Sequence, residues 1–278
     1  MTREKNHGVG NSNDQLELRL EELMTKSTEP AALDLTPQAS SLRSTTTFCI
    51  KTIHRPQCCA ALVRSIHEHY GTHRPTIHVL DDGKPDLRFS ANYPVEAAMV
   101  DELIETEFDI GLSAGRNRLL NAGDTPFVVF ADDDHLVTPR TRLPELVDKL
   151  NKHSDIDLLA ALSNDEERPR LLRSNGHRLR IYRGVLKQRG LIRWCHYVGN
   201  CFVAHRDILQ AIRWDDSLKV EEHWDFFWRC KIAGVNVASD ISHSFKHEHI
   251  DPPGYRRHRP QFLKRGLKKH GLEKVIWR

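Results

Sequence analysis

The strongest constraint on the fold is an alternation of strand-like and helix-like segments that begins at Thr45. Runs of apolar and β-branched residues, which are typical of buried strands, alternate with stretches of helical periodicity. Strands are predicted in TTFCIKTI, TIHVLDDG, PFVVFADDD and IDLLAAL, and helices in CCAALVRSIHEHY, after GLSAGRN and in PRTRLPELVDKLNKH. This alternation predicts the α/β fold class, with helices flanking a mixed, mostly parallel sheet.

The pattern is looser after residue 165. Residues 168–193 predict either a hairpin or a mobile loop. Farther along, HYVGNCFVAHRDILQAI predicts a strand and a helix, VEEHWDFFWRCKIAG a helix, and VNVASDISHSFKHEH a last strand. We therefore expect three parts: a polar leader and linker with one short helix at 1–44, the α/β domain at 45–250, and a basic C-terminal tail at 251–278.

The composition is that of a soluble globular chain, and 278 residues can bury a core without disulfide or metal staples. No run of about 18 apolar residues is present, so no membrane-spanning helix is expected. The first residues lack the apolar segment of a signal peptide. The six cysteines show neither a C-x-x-C pair nor the pattern of a small secreted domain. These features predict reduced thiols and a cytoplasmic location.

The formal net charge of +3 conceals two basic blocks. Residues 246–278 contain ten Lys/Arg and three Asp/Glu, a net of +7, and residues 168–193 contain nine Lys/Arg and no acid. Such blocks are either solvated faces or contacts for phosphate, an anionic acceptor or a membrane surface.

Three aspartates, Asp132, Asp133 and Asp134, follow the apolar run VVFA. Carboxylates spaced as D-x-D on a loop after a strand bind a hard divalent cation through oxygen and leave positions for phosphate oxygens. Alternatively, one of them caps the next helix, because Thr138-Pro139 resembles a helix start. A cap needs only one carboxylate, so three in a row favour metal or metal–nucleotide binding.

Two more acids and an arginine are candidates for contact with a ligand. Asp81 and Asp82 end the strand of VLDDG, where a carboxylate can accept a hydrogen bond from a ribose hydroxyl or a base N–H. Arg116 in GLSAGRN can hold a diphosphate or bridge acid clusters. Taken singly, these residues are better explained as an Asp-Gly turn and a surface arginine. Because ligands in such sheets lie beyond the carboxyl ends of the strands, we expect both aspartate clusters at one edge.

Two further constellations lie late in the chain. In EEHWDFF, Glu222 and Asp225 fall within one turn of a predicted helix beside aromatic residues. Either carboxylate suits a general base that acts on a hydroxyl, and both also suit the helix dipole. His243, His247 and His249 lie at alternate positions of the last predicted strand, so their side chains share a face, and neutral imidazole is a metal ligand.

Together, FCIKTIHRP, VLDDG, GLSAGRN, VVFADDDHLV, GNCFVAHRDIL, EEHWDFFWR and VNVASD resemble glycosyltransferases of the GT-A fold. They are most similar to family-2-like enzymes and to ganglioside-type β-1,4-N-acetylgalactosaminyltransferases, over about Thr45 to His249. The resemblance implies a Rossmann-like GT-A domain at 45–250. It also implies a metal-dependent, inverting transfer of GalNAc or a similar sugar from a UDP-sugar to a hydroxyl of a glycan or glycolipid acceptor.

The resemblance assigns the metal site to the aspartate triplet and a late histidine. Asp132 and Asp134 would hold Mn²⁺ or Mg²⁺ against the diphosphate of the donor, with Asp133 between them in the nucleotide-sugar site. The metal-ligating histidine of the family falls near His247, and His249 is the alternative because the spacing differs by a few residues.

The resemblance also assigns donor contacts and a base. Asp81 and Asp82 would face the nucleoside, and Arg116 would lie beside the diphosphate. The catalytic base would be Asp225 or Glu222. The choice stays open because many family-2 enzymes have Glu-Asp where this chain has Glu222 followed by histidine.

A carboxylate base at one end of a pocket and a carboxylate-bound cation at the other match the needs of inverting transfer. Trp224 and Phe227 would stack on a sugar ring or pack in the core. Two alternatives stay open: a nucleotidyl or phosphoryl transferase that uses the DDD aspartates, and a basic nucleic-acid-binding protein. No nucleic acid is expected, because aromatic residues do not interleave with the basic blocks. The basic tail instead predicts contact with a membrane surface.

Overall fold

The computed structural model describes residues 42–164, 166, 169–250 and 259–278. The predicted leader at 1–44, with its short helix, lies outside these ranges except for its last three residues. The described helices are α1 Leu42–Thr45, α2 Pro56–Tyr70, α3 Phe89–Asn92, α4 Pro94–Ala97, α5 Leu112–Ala122, α6 Leu143–Lys152, α7 Arg206–Ile212, α8 Glu222–Ile232 and α9 Arg259–Lys269. Short 3₁₀ turns occupy Gly71–His73 and Pro85–Leu87.

The described strands form a large central sheet and a small second sheet. They are β1 Thr46–Thr52, β2 Thr76–Asp81, β3 Glu102–Glu105, β4 Phe127–Asp132, β5 His135–Leu136, β6 Leu158–Ser163, β7 Arg170–Ser174, β8 Arg178–Arg183, β9 Lys187–Arg189, β10 Ile192–Cys195, β11 Cys201–His205, β12 Val237–His247 and β13 Lys274–Trp277.

The central sheet has the order β3-β2-β1-β4-β11-β6-β12-β10-β9, and β5 pairs with the end of β12. Strands β3, β2, β1 and β4 run parallel to one another, and β6 runs parallel to β12. Strand β11 runs antiparallel between β4 and β6. The predicted α/β class, a mixed and mostly parallel sheet flanked by helices, is confirmed.

The middle of the sheet is apolar on both faces because helices cover it. Every residue of β1 is buried, as expected for a central parallel strand with helices on each side. Helix α2 begins at Pro56, whose fixed φ and missing N–H suit the first helical turn. It buries the apolar stripe of Cys59, Leu62, Val63 and Ile66 against the sheet.

The parallel registers bring the carboxyl ends of three strands to one edge. Thr52 of β1 lies opposite Asp81 of β2, and Lys51 lies opposite Asp132 of β4. Both aspartate clusters are therefore at the same edge, as the strand alternation predicts. Helix α5 packs against β1 and β2 at this edge.

The basic block of residues 168–193 contains a hairpin. Strands β7 and β8 pair antiparallel, and β13 pairs parallel to β8 to complete the small sheet. Residues 259–278, which belong to the segment predicted as a basic tail, fold as α9 and β13. Of the two predicted alternatives, hairpin and mobile loop, the structure shows the hairpin.

Two local details differ from the predicted elements. Helix α6 begins at Leu143, four residues after Pro139, because a turn is closed first by the N–H of Thr141, which donates to Thr138 O at 2.7 Å. GLSAGRN is helical from Leu112 onward. Among the described helices, none combines the length and the apolar character that a membrane crossing requires.

Candidate active site

A cavity of about 310 Å³ opens at the carboxyl edge of β1 and β4. Its wall is built from residues far apart in sequence, because it also takes in the first residues of α8, the end of β12 and the last strand, β13. Among the residues that line it are Asp132, Asp134, Glu221, Glu222, His247 and Trp277.

The three consecutive aspartates have different partners. Asp132 accepts hydrogen bonds from Arg116 at 3.0 Å and from Asn200 at 3.2 Å. Asp133 is fully buried and accepts from Thr52 at 2.7 Å and from Arg55. Burial raises the pKa of Asp133 to about 7, although the charge of Arg55 and the Thr52 hydroxyl act in the opposite direction.

Asp134 is at the centre of a group of metal-ligand side chains. One ligand atom each from Asp134, His135 and His247 lies within 4.8 Å of the other two. His247 Nε2 is 3.4 Å from Asp134 Oδ1, and the Asp134 Oδ2 atom accepts from Arg55 at 2.7 Å. Burial alone would raise the pKa of Asp134, but the neighbouring histidines and Arg55 hold it well below its usual range.

The Asp134, His135 and His247 group fits a divalent cation. The Asp134 Oδ1 atom is buried and makes no hydrogen bond of regular geometry to a described residue, and its near neighbour is the metal-ligand atom Nε2 of His247 at 3.4 Å. Burial lowers the pKa of His135, which favours the neutral imidazole that binds metals. Asp132 lies outside this group although it lines the same cavity.

A buried arginine connects the aspartate edge to α8. Arg116 Nη1 donates to Glu222 Oε1 at 2.5 Å, and its Nη2 donates to Asp132. The preceding Gly115 lets α5 approach β1, because an added Cβ would lie 2.8 Å from Cγ of Lys51. The small residue in GLSAGRN thus places the guanidinium between two carboxylates, as its predicted bridging role requires.

Asp81 and Asp82 are buried behind the cavity. Asp81 accepts the backbone N–H groups of Gly83 at 2.7 Å and Phe89 at 2.6 Å, and burial raises its pKa. Asp82 accepts from Lys51 and from the N–H of Gly111 at 3.1 Å. Neither aspartate lines the cavity, whereas Lys51 does. The predicted contact of these two acids with a nucleoside stays a prediction.

The two predicted base candidates lie in different surroundings. Glu222 lines the cavity but is ion-paired with Arg116. Asp225 is fully buried and does not line it. Its carboxylate accepts from His270 at 2.6 Å, from Lys269 at 2.9 Å and from Arg229 at 2.9 Å. The structure therefore brings Glu222 together with the metal-ligand side chains, and Asp225 with α9.

Sequence reasoning missed a third acid, Glu221. It lines the cavity and has the left-handed backbone conformation, with φ 63°, directly before α8. Such a conformation is uncommon for a residue with a side chain and is often found at functional sites. Burial raises the pKa of Glu221. The paired glutamates of EEHWDFF were the only sequence signal for it.

Some residues that line the cavity were not predicted from the sequence, and some residues predicted for the site are buried. Arg55 lies three residues after the end of β1 and lines the cavity, and its position in HRP was a usable signal. Trp224 and Phe227, predicted either to stack on a sugar or to pack in the core, are 2% and 0% exposed, and of the two only Trp224 lines the cavity. The exposed aromatic side chain at the cavity is Trp277, at 50%. His249 lines the cavity, and His243 is buried near Asp240.

Comparison with known proteins agrees with this architecture. A family model described as Glycosyl transferase family 2 matches residues 47–213, more than half of the chain. Mouse β-1,4 N-acetylgalactosaminyltransferase 2 is 29% identical over 207 residues, which cover 72% of this chain and 38% of that protein. Human β-1,4 N-acetylgalactosaminyltransferase 1 is 28% identical over 202 residues, which cover 65% and 35%. The chain therefore spans less than two fifths of the length of these relatives.

A solved structure shows the fold. GalNAc-T7 with UDP, GalNAc and Mn²⁺ superposes with a TM-score of 0.59 at 12% identity, over 82% of this chain and 50% of that one. The central sheet and its helices are thus those of the GT-A glycosyltransferases. With the family match over residues 47–213, this likeness confirms the resemblance seen in the sequence. The chain belongs to glycosyl transferase family 2.

Proposed function

We propose that this chain transfers a sugar from a UDP-sugar to a hydroxyl group of a glycan or glycolipid, with inversion and with a divalent cation. The observation that carries the proposal is the arrangement of the cavity. Two of the three cation ligands, Asp134 and His247, line one cavity together with a pair of glutamates, Glu221 and Glu222, and the third ligand, His135, is buried beside them. Donor activation and deprotonation of an acceptor need these two functions on opposite sides of the anomeric carbon.

Asp134, His135 and His247 would hold the cation, which neutralises charge on the leaving diphosphate. The relative with bound ligands, GalNAc-T7, contains UDP and Mn²⁺. Two imidazole ligands favour Mn²⁺ over Mg²⁺, because Mg²⁺ prefers an octahedron of oxygen atoms. Arg116 would lie beside the diphosphate, and its ion pair with Asp132 orients that carboxylate toward the donor.

Glu221 is the best candidate for the general base. It lines the cavity, and burial raises its pKa although Arg259 acts in the opposite direction. Its ion pair with Arg259 is longer, at 3.5 Å, than the 2.5 Å pair of Glu222 with Arg116. The carboxylate of Glu222 is neutralised by Arg116, so we assign it the positioning of that guanidinium. Asp225 is held by Arg229, Lys269 and His270 and does not line the cavity, so we assign it to the fold.

GalNAc is the proposed sugar, because the matched relatives are N-acetylgalactosaminyltransferases by name. A two-metal phosphoryl or nucleotidyl transferase would need a second cation group about 4 Å from the first. The ranges that the structure covers contain one such group. Contact of the basic residues of 259–278 with a membrane surface, and a cytoplasmic location, stay proposals that rest on charge and sequence alone.

A thermal-shift experiment tests the metal–nucleotide site. UDP with Mn²⁺ at about 100 times Kd should stabilise the protein by about 2.7 kcal/mol, which raises Tm by roughly 5–10 °C for a domain of this size. UDP without metal should give a much smaller shift. Asp134→Asn and His247→Ala should abolish the response. His177→Ala, which changes an exposed histidine in the turn between β7 and β8, is the matched control. An unchanged Tm with UDP, with and without Mn²⁺, contradicts the proposal.

A second experiment separates the three acids. Glu221→Gln should lower the rate of sugar transfer by about 100-fold or more and leave the UDP–Mn²⁺ shift unchanged. Glu222→Gln should weaken UDP binding as well, because Arg116 loses its buried partner. Asp225→Asn should lower stability and keep transfer in the protein that remains folded. Full transfer by Glu221→Gln would exclude Glu221 as the base.

A further inference from the structure

One large aromatic side chain at the cavity is accessible. Trp277 is 50% exposed and lines the cavity with polar residues around it. Ligand pockets are commonly lined by aromatic side chains together with a few polar groups. Trp277 also lies outside the segment that matches the family model, residues 47–213.

The ring of Trp277 is fixed by its neighbours. Strand β13 pairs with β8 so that Trp277 lies opposite Ile181. The guanidinium of Arg170 lies 5.7 Å from the ring centroid, and Tyr197 contacts the ring edge-on with a centroid distance of 5.6 Å. Arg170 Nη1 also donates to the backbone oxygen of Arg278 at 3.1 Å. A platform that is ordered before binding loses little side-chain entropy when a ligand arrives.

Helix α9 ties this strand to the rest of the site. The buried carboxylate of Asp225 in α8 accepts from Lys269 and His270 at the end of α9. Gly266 of α9 packs on the ring of Trp224, where an added Cβ would lie 2.7 Å from the indole. Residues 259–278 are therefore part of the cavity wall and are anchored to the helix that begins at Glu222.

A continuous row of rings leads from Trp277 to the first turn of α8. Tyr197 contacts Trp277 on one side and His223 on the other, with a Tyr197–His223 centroid distance of 4.7 Å. His223 is adjacent in sequence to Glu222 and is held by a hydrogen bond to Val198 O at 2.8 Å. The accessible ring is thus on the glutamate side of the cavity, and the cation ligands come from the β4 and β12 ends.

We propose that Trp277, supported by Tyr197, is an acceptor subsite that binds the C–H face of a pyranose ring. The face of an indole carries partial negative charge, and the C–H hydrogens of one face of a pyranose are weakly positive and apolar, so the two surfaces are complementary. This inference rests on the proposed function and deepens it by assigning a saccharide acceptor to a segment outside the family match.

The test measures saccharide binding directly, in the presence of UDP and Mn²⁺. Saturation-transfer NMR with lactose and cellobiose should show magnetisation transfer to the C–H protons of a terminal ring with the unmodified chain. Trp277→Ala should weaken binding of the better saccharide by about tenfold, and Trp277→Phe should restore most of it. Trp228→Ala is the matched control, because Trp228 is half-buried against Lys231 and does not line the cavity. All four proteins should show the same UDP–Mn²⁺ thermal shift.

The outcomes separate the two proposals. Equal saccharide binding by Trp277→Ala and the unmodified chain would overturn the acceptor subsite. So would the absence of binding to both saccharides in an unmodified chain that responds to UDP–Mn²⁺. A chain that does not respond to UDP–Mn²⁺ at all would contradict the proposed function itself. Loss of binding in both Trp277→Ala and Trp277→Phe, with unchanged Tm and UDP response, would count against stacking on an aromatic face, because the phenyl ring of Trp277→Phe offers such a face.

Discussion

Replacing Asp225 with asparagine should destabilise the fold rather than remove a catalytic group. The carboxylate is fully buried, and it accepts from Lys269 and His270 through one oxygen and from Arg229 through the other. Asparagine keeps the shape of the side chain but removes the charge and turns an N–H₂ group toward donors. Arg229, Lys269 and His270 then lose their common charged partner.

The expected magnitude follows from the burial of these partners. Removing one member of a buried ion pair costs about 3–5 kcal/mol. Arg229 and His270 are 14% and 11% exposed, but Lys269 is 34% exposed and also pairs with Asp215 at 2.7 Å. When the charge of Asp225 is removed, Lys269 therefore keeps its contact with water and its ion pair with Asp215. The expected loss of unfolding free energy is thus near the lower end of this range, about 3 kcal/mol. This is roughly a 100-fold change in the ratio of folded to unfolded protein.

Urea unfolding followed by tryptophan fluorescence measures this loss. Asp148→Asn is a suitable control because Asp148 forms an exposed pair with Lys152 one helical turn away, and such pairs contribute about 0.3–0.5 kcal/mol. A second measurement is the dependence on pH. Burial opposes ionisation of Asp225, but His270, Arg229 and Lys269 outweigh it and hold its pKa well below the usual range.

The sign of the pH effect follows from that depressed pKa. In the unfolded chain an aspartate has a pKa of about 3.9. The stability that Asp225 contributes is therefore present above about pH 4 and is lost as the pH falls toward the pKa of the folded state. The difference between the unmodified chain and Asp225→Asn should shrink below about pH 4. A loss under about 0.5 kcal/mol at pH 7, together with abolished sugar transfer, would refute this account and make Asp225 a base candidate again.

Three further outcomes are expected. Gly266→Ala should cost about 1–3 kcal/mol of unfolding free energy, because the new Cβ meets the ring of Trp224 at 2.7 Å; an unchanged urea midpoint would contradict this contact. The six cysteines are buried thiols, and burial raises the pKa of Cys49 to about 12, so native protein should react slowly with a disulfide reagent and unfolded protein at all six positions. Sugar transfer should rise with pH through a midpoint above 4.5, because burial raises the pKa of Glu221; a lower midpoint would argue against this base.

Local sequence patterns were sufficient to predict the sheet and the edge at which the site lies. Strand runs such as TTFCIKTI and PFVVFADDD reveal themselves by apolar and β-branched residues over short distances, and alternation with helices implies parallel pairing. Parallel pairing places the ends of these strands at one edge of the sheet, and the observed registers put Asp81 and Asp132 there. The order of the short motifs along the chain was enough to indicate the family.

The partners of individual side chains could not be predicted in this way. The sequence presents Asp132 and Asp134 as an equivalent pair, but the tertiary structure directs Asp132 to Arg116 and Asp134 to His247. Both contacts depend on the exact approach of helix α5 and strand β12, and each involves a residue distant in sequence. His135, the third member of the ligand group, had no separate signal.

The positions of the carboxylates near α8 and of the aromatic residues also depend on tertiary contacts. The helical phase of α8 turns Asp225 into the protein, toward α9, and leaves Glu221 at the cavity. Trp277 reaches the cavity only because β13 pairs with β8, and residues 259–278 looked like a tail when judged by their charge alone. The sequence by itself determined the sheet, its functional edge and the family, because these follow from short-range periodicity and motif order. Which acid faces the cavity and which aromatic ring is exposed was decided by tertiary packing, because both depend on contacts between segments distant along the chain.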